Sequence, residues 1–175
     1  MLIKKPGARI LKTGLGLFLS MLTSSLREGG LPFYSGITAI ICMQQDVAGT
    51  FYKGLYRALG TIIGGLTGLG YLLIAQKFAL SPRANILILS IIVTFLIWVL
   101  ATFEKNLAIT IAGIVFLSVT INHAHDAKGP VIFALNRIID TLIGVFTSLY
   151  VNWADFEIRK RYHNRFAKNH EKTWP

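Results

Sequence analysis

The chain has 175 residues, of which 53% are hydrophobic and only 15% are charged. A soluble domain carries about 25% charged residues, so this composition argues against a soluble protein. The mean hydropathy of +0.56 and long uncharged runs such as 85–103 indicate helices within a bilayer, where backbone groups must bond internally. The single cysteine, Cys42, lies in an apolar run, which excludes a disulfide within the chain and argues against a thiolate metal site.

Six apolar segments follow one another and predict an all-α integral membrane protein with six transmembrane helices. The second and fifth are short, since the 13 residues of the second cover only roughly 20 Å of a hydrocarbon core about 30 Å thick. Polar residues interrupt the chain after each of these two, and Asp46 is placed to cap the helix that follows the second. The predicted segments are 8–26, 31–43, 47–75, 86–103, 107–121 and 129–153.

An internal repeat relates the third segment to the sixth. Gly60 of the first copy is replaced by Asp140, a charged residue in an otherwise apolar stretch. We interpret the two helices as parts of two three-helix repeats, at about 8–75 and 86–154, within a membrane domain 1–154. Because three is odd, the second repeat crosses the membrane in the opposite sense, an inverted repeat as in many secondary transporters. At an offset of 80 residues, the identical pairs are Arg57/Arg137, Thr61/Thr141, Gly64/Gly144 and Thr67/Thr147.

The formal net charge of +10 is distributed unevenly along the chain. Thirteen of the 18 Lys and Arg residues fall in segments that six crossings place on one side. The positive-inside rule then puts both termini in the cytoplasm. The basic cytoplasmic tail, 155–175, interleaves cations with aromatic residues, as nucleic-acid-binding segments do. A basic segment directly after a membrane helix is better explained by topology and anionic lipid, so no nucleic-acid partner is expected.

The two short segments are the strongest sequence indication of a binding site. In transporters built from inverted repeats, paired short or interrupted segments form the substrate site near the midplane. Gln44 and Gln45 follow the first short segment, and Asn122 follows the second. These side chains could line a polar cavity or cap helix ends, and both interpretations stay open.

Three ionisable residues, Arg57, Arg137 and Asp140, lie nearest to the predicted membrane interior. Charges at such depth are costly and point to function. The arginines could bind a carboxylate substrate bidentately, or each could lie at a helix end and extend to the interface. Helices that enter the membrane at residues 58 and 138 favour the second interpretation. Asp140 lies three residues from Arg137, which predicts an ion pair on one helix face ahead of a role in proton coupling.

Small residues recur at helical spacing in the third segment. Gly60, Gly64 and Gly68 are four residues apart, and Gly144 is the counterpart of Gly64. This spacing lets helix backbones approach closely, so it predicts tight helix packing, within one chain or between chains.

Catalytic patterns give no support for an enzyme. His123, His125 and Asp126 could bind a metal or relay protons, but two histidines at i and i+2 face apart on a helix, which favours an exposed loop. Nucleophile elbows, phosphate loops and zinc spacings are absent from the sequence. We therefore predict no enzymatic activity, metal or cofactor.

Three segments, 9–13, 57–64 and 136–144, resemble the aromatic acid exporter / fusaric acid resistance family of bacterial inner-membrane proteins. The motifs Arg-x-x-Gly-Thr-x-x-Gly and Asn-Arg-x-x-Asp-Thr-x-x-Gly carry the resemblance, which covers nearly the whole chain. It implies a six-helix domain in the bacterial inner membrane with a role in exporting aromatic or other organic acids. Many relatives carry a cytoplasmic domain after the last helix, whose function would here be absent or supplied by a partner.

The leading prediction is a transporter that exports small organic anions, with aromatic acids as one candidate class. A homo-oligomer is expected, because six short helices enclose little volume and glycine faces suit helix association. The alternative is a non-transporting membrane scaffold or accessory subunit that acts through its basic tail. Transport predicts that Arg57 and Asp140 are essential, whereas the scaffold predicts that the tail is.

Overall fold

The computed structural model describes residues 7–75, 78, 81–104, 106–122 and 129–172, without the side chains of 122, 130 and 163–172. These residues form six α-helices. In chain order the helices are α1 (Ala8–Ser25), α2 (Pro32–Cys42), α3 (Val47–Ala75), α4 (Pro82–Thr102), α5 (Asn106–Asn122) and α6 (Pro130–Lys172).

Three of the helices, α3, α4 and α6, are long and apolar enough to cross a membrane. The apolar helices α2 and α5 have only 11 and 17 residues. Large apolar side chains such as Phe18, Phe95 and Trp98 are more than half exposed on the outer surface. A soluble monomer rarely exposes extensive apolar patches, so this surface fits contact with lipid, and the chain is a membrane protein.

Helix boundaries agree closely with the sequence for α1, α2, α3 and α5, whose predicted ends lie within one residue of the observed ones. Helix α4 begins earlier than predicted, because Ser81 accepts a hydrogen bond from the Ala84 N–H at 3.3 Å and Pro82 suits the first helical turn. The predicted end of α6 near residue 153 is wrong. The helix continues to Lys172, and the Arg159 Nε donates a hydrogen bond to the Asp155 Oδ1 one turn earlier at 3.0 Å, a pair that supports the helix beyond its apolar part.

Local interactions explain two of the helix ends. Asp46 caps α3, as predicted: its Oδ2 accepts a hydrogen bond from the Gly49 N–H at 2.7 Å. Between α1 and α2 the chain turns through Gly29, whose φ is +73°. A Cβ on Gly30 would lie 1.9 Å from the carbonyl oxygen of Ser24, so the turn requires glycine there as well.

The helix contacts in the first half of the chain largely correspond to those in the second half. Helix α3 contacts α6 at the centre, α2 packs on α6, and α5 packs on α3. Helix α1 packs on α2, and α4 packs on α5. When α1, α2 and α3 are matched with α4, α5 and α6, these contacts correspond. One contact has no counterpart within the described residues: α1 also packs along α6, whereas α4 does not pack along α3.

Glycines set the closest helix approaches, and these lie within the chain. A Cβ on Gly64 of α3 would lie 2.3 Å from the carbonyl oxygen of Ala112 on α5. A Cβ on Gly144 of α6 would lie 2.5 Å from the carbonyl oxygen of Ser35 on α2. The equivalent glycines therefore perform equivalent packing in the two halves. Two further glycines of α3 also face α5 at close range: Gly60 and Gly68.

Candidate functional site

A cleft of about 620 Å³ opens between the two short helices, α2 and α5. Its walls are mostly apolar. Helices α3 and α6 contribute one arginine each, Arg57 and Arg137, and the lining contains no aspartate or glutamate among the described residues. The α2 wall consists of Phe33, Tyr34, Ile37 and Ile41, and the α5 wall of Thr110, Ile111, Ile114, Val115, Leu117, Ser118 and Ile121.

The side chain of Arg137 is buried but incompletely bonded. Only 5% of this residue is exposed. Its guanidinium carbon lies 3.4 Å from the centroid of the Tyr34 ring, a cation–π contact that fixes the plane of the group. Its Nε and Nη1 have no hydrogen-bond partner within the described part of the chain. Buried donors without partners are costly, so these two nitrogens are donors for which the fold supplies no acceptor among the described residues.

Arg57 is equally buried, with 6% of the residue exposed, but one of its donors is used. Its Nε donates a hydrogen bond to the Thr38 hydroxyl at 2.8 Å, and that hydroxyl donates to the Tyr34 carbonyl at 2.7 Å. The sequence interpretation placed Arg57 and Arg137 at helix ends, but both lie within their helices, α3 and α6, and are buried. Helix α2 covers both side chains, so they face a cleft inside the protein rather than the membrane surface.

Asp140 is fully buried and pairs with residues far from it in sequence. Its Oδ2 accepts hydrogen bonds from Arg27 Nη2 at 3.0 Å and from the Leu31 N–H at 2.9 Å. Its Oδ1 accepts one from the Ser24 hydroxyl at 2.7 Å. The predicted ion pair with Arg137 does not form, because the end of α1 and the turn that follows it supply partners to both carboxylate oxygens. Asp140 thus holds that turn in place. It makes no ion pair with Arg57 or Arg137 in the cleft.

Tyr34 connects the two walls of the cleft. Its hydroxyl lies 3.4 Å from the Ser118 hydroxyl on α5, and its ring meets Phe33 edge to face at 5.3 Å. Reasoning from the sequence missed Tyr34, Ser118 and Thr38 as site residues. Tyr34 is the only tyrosine of the two short segments, and this was the signal that could have singled it out.

Gln44 and Gln45, which follow the first short segment, do not line the cleft. The Gln44 amide donates to the Met43 carbonyl at 2.8 Å, and the Gln45 carbonyl accepts from Lys12 at 3.4 Å, so both lie in the connection to α3. Asn122 ends α5, and its side chain lies outside the described residues. The predicted loop with His123, His125 and Asp126 also falls outside them. The described residues contain no group of three potential metal ligands.

The fold and the cleft place the chain among α-helical membrane proteins, with an apolar cleft lined by two buried arginines. The family model for fusaric acid resistance protein-like sequences matches residues 15–151, and the chain belongs to this family. The resemblance drawn from the two motifs is thereby confirmed.

One curated relative is similar over most of the chain. The UPF0421 protein YgaE from Bacillus subtilis (strain 168) is 26% identical over 148 residues. The match covers 85% of this chain but only 39% of that protein, so the chain spans about two fifths of the length of this relative. No solved structure matches the chain.

Proposed function

We propose that the chain is the membrane part of a transporter that exports small organic anions, aromatic acids among them, without changing them chemically. The cleft between α2 and α5 is the substrate site in this proposal. The observation that carries it is Arg137, which is buried with two unused donors in a cleft whose described lining has no carboxylate. A charged arginine buried within a membrane protein is costly, and a bound anion would offset that cost.

The chemistry of the cleft suits a carboxylate joined to an apolar body. A carboxylate can accept hydrogen bonds from the guanidinium edge of Arg137 while Tyr34 holds the guanidinium face. Arg57 adds a second positive charge on the same cleft. The apolar walls, with the exposed ring of Phe33 at their rim, provide contact for a hydrocarbon or aromatic group. The volume of about 620 Å³ lies within the usual range for small-molecule sites.

The proposal includes six membrane crossings arranged as two inverted repeats. The Thr61 and Thr141 hydroxyls, 80 residues apart in sequence, lie 3.5 Å apart at the contact of α3 with α6. When a two-fold axis relates two repeats, equivalent residues that lie on this axis contact each other. Each repeat supplies one short helix and one arginine to the cleft, as expected of a site between repeats that alternates its access.

We further propose a homo-oligomer in the bacterial inner membrane, with both termini in the cytoplasm. With 11 residues, α2 is about 16 Å long and cannot cross a hydrocarbon core of about 30 Å alone. A second copy beside the open side of the cleft would shield this short helix from lipid. The cytoplasmic termini follow from the excess of Lys and Arg in the segments on that side.

Transport can be tested by uptake into inverted membrane vesicles that contain the full protein. We expect saturable uptake of one or more aromatic carboxylates and none of their uncharged amides. Arg137→Gln should reduce uptake at least tenfold at equal protein levels, because charge-assisted hydrogen bonds contribute about 1.5–3 kcal/mol. Arg83→Gln, an exposed arginine at the start of α4, is the matched control and should transport normally. Absence of flux for every acid in a broad panel would contradict the proposal.

A further inference from the structure

A second cavity, of about 720 Å³, lies between the start of α1, the connection before α3, and the part of α6 around residue 155. It is separate from the cleft, and no described residue lines both. Among the described residues, its charged lining consists of three cations and two carboxylates: Arg9, Lys12, Arg159, Asp46 and Asp155.

Two of the three cations of this cavity, Lys12 and Arg159, lie close together. The Lys12 Nζ and the Arg159 Nε contact the same oxygen, Asp155 Oδ2, at 3.2 and 3.0 Å, so these two nitrogens are at most about 6 Å apart. Lys12 is only 9% exposed, and its Nζ also donates to Asn152 Oδ1 at 2.6 Å. One carboxylate, that of Asp155, therefore pairs with two cations. Of these two, Lys12 is buried and is also held by Asn152.

Positive charge remains in excess at the mouth of the cavity. The Asp46 carboxylate is engaged at the start of α3, where it accepts from the Gly49 N–H at 2.7 Å. Arg9 has no carboxylate partner within the described part of the chain, and its guanidinium reaches only the Met43 carbonyl, at 3.5 Å. An anion between Arg9 and Arg159 would complete the charge balance of the site.

The walls of the cavity identify the kind of anion. Trp153 and Phe156 line it while remaining 52% and 54% exposed, and Ala8 and Ala48 add further apolar surface. Tryptophan beside basic residues at the end of a membrane helix is typical of the membrane–water interface. A free phosphate ion would leave the apolar walls unused, whereas a phospholipid places its phosphate on the cations and its glycerol and first acyl carbons on the walls.

We infer that this cavity is a binding site for an anionic phospholipid. Arg9 and Arg159 bind the headgroup phosphate, and the buried Lys12 adds positive charge beneath Asp155. Trp153 and Phe156 contact the apolar part of the lipid. Basic pockets between membrane helices bind anionic headgroups in this manner. The site is independent of the transport proposal, since it needs no substrate in the cleft.

Native mass spectrometry of the full protein in detergent, with defined lipids added, tests this site. Phosphatidylglycerol should remain bound where phosphatidylcholine dissociates. Arg9→Gln and Arg159→Gln should each weaken retention of phosphatidylglycerol about fivefold, since one cation near an anionic surface contributes about that factor. Arg9→Lys, which keeps the charge, should retain the lipid. Lys160→Gln is the matched control, because this exposed neighbour of Arg159 does not line the cavity.

Three results would overturn the inference. Equal retention of the two lipids would remove the headgroup preference, and an equal effect of Lys160→Gln would reduce the site to a general basic surface. Displacement of phosphatidylglycerol by millimolar inorganic phosphate would show that the cations take a free anion rather than a lipid. Arg9→Gln remains informative if Arg159→Gln disturbs folding, because Arg9 is exposed and makes only one weak contact within the described structure.

Discussion

The first helices of the two proposed repeats, α1 and α4, are attached to the rest of the molecule in different ways. Helix α1 is bound to α6 by polar contacts at both ends, from Ser24 to Asp140 at 2.7 Å and from Lys12 to Asn152 at 2.6 Å. Helix α4 packs on α5 through an apolar face that buries Leu89, Leu96 and Leu100. Its described polar connection to another helix is one hydrogen bond, from the Tyr71 hydroxyl of α3 to the Asn85 amide oxygen.

One residue that differs between the matched helices α3 and α6 contributes to this difference, because Gly60 of α3 corresponds to Asp140 of α6. Gly60 lets α5 approach α3 so closely that a Cβ there would lie 2.7 Å from the Ala108 carbonyl oxygen. Asp140, at the equivalent position of α6, instead binds the Leu31 N–H at the start of α2 and the end of α1. At this one position, α3 thus packs closely against the backbone of α5, whereas α6 binds the end of α1 and the start of α2 through a buried carboxylate.

Loss of the Asp140 carboxylate should have the largest effect on stability. Asp140→Ala leaves Arg27, Ser24 and the Leu31 N–H without their acceptor in a buried place, so we expect a loss of about 3 kcal/mol in the free energy of unfolding. Arg27 is 26% exposed, which keeps the effect at the lower end for a buried pair. Unfolding of the purified protein in mixed detergent measures it. An unchanged unfolding midpoint would show that the contacts of Asp140 with α1 and the following turn contribute nothing to stability.

The equivalent glycines should respond alike, with a smaller loss. Gly64→Ala and Gly144→Ala each place a methyl group within 2.5 Å of a backbone oxygen of the neighbouring helix, so both should cost about 1–3 kcal/mol. Gly65→Ala is the matched control, because a Cβ there meets no atom within 4 Å and alanine favours the helix by about 1 kcal/mol. The same unfolding assay applies. A loss at Gly64 without one at Gly144 would break the correspondence between the halves.

The outer face of α4 should contribute least. Trp98 is 62% exposed, so Trp98→Ala should change the free energy of unfolding by less than about 0.5 kcal/mol. Leu96→Ala, on the buried face of the same helix, should cost about 2–5 kcal/mol. Unfolding curves of the two variants, recorded in the same detergent, give the comparison. If Trp98→Ala were as destabilising as Leu96→Ala, the outer face of α4 would be a packed interface.

Local signals made most of the fold predictable. The bounds of α3 agree with the prediction because Asp46 caps the helix and the apolar run continues from there. The course of α6 beyond residue 153 was not predicted, since hydropathy reports the membrane and not where a helix ends in water.

The site was predictable only in part. Arg57, Arg137 and the two short segments were all singled out, but their burial around one cleft depends on how α2 packs. The partner of Asp140 could not be read from the sequence, because Arg27 precedes it by 113 residues and an arginine three residues away offered a nearer pairing.

Direct binding of a matched pair of ligands tests the central claim, that Arg137 binds the carboxylate of an organic anion in the cleft. Benzoate and benzamide have nearly the same shape but differ in charge, and calorimetry on the purified protein measures both. We predict that wild-type protein binds benzoate in preference to benzamide, that Arg137→Gln weakens benzoate binding at least tenfold, and that Arg83→Gln leaves it unchanged. Equal benzoate affinity in wild type and Arg137→Gln would contradict the account.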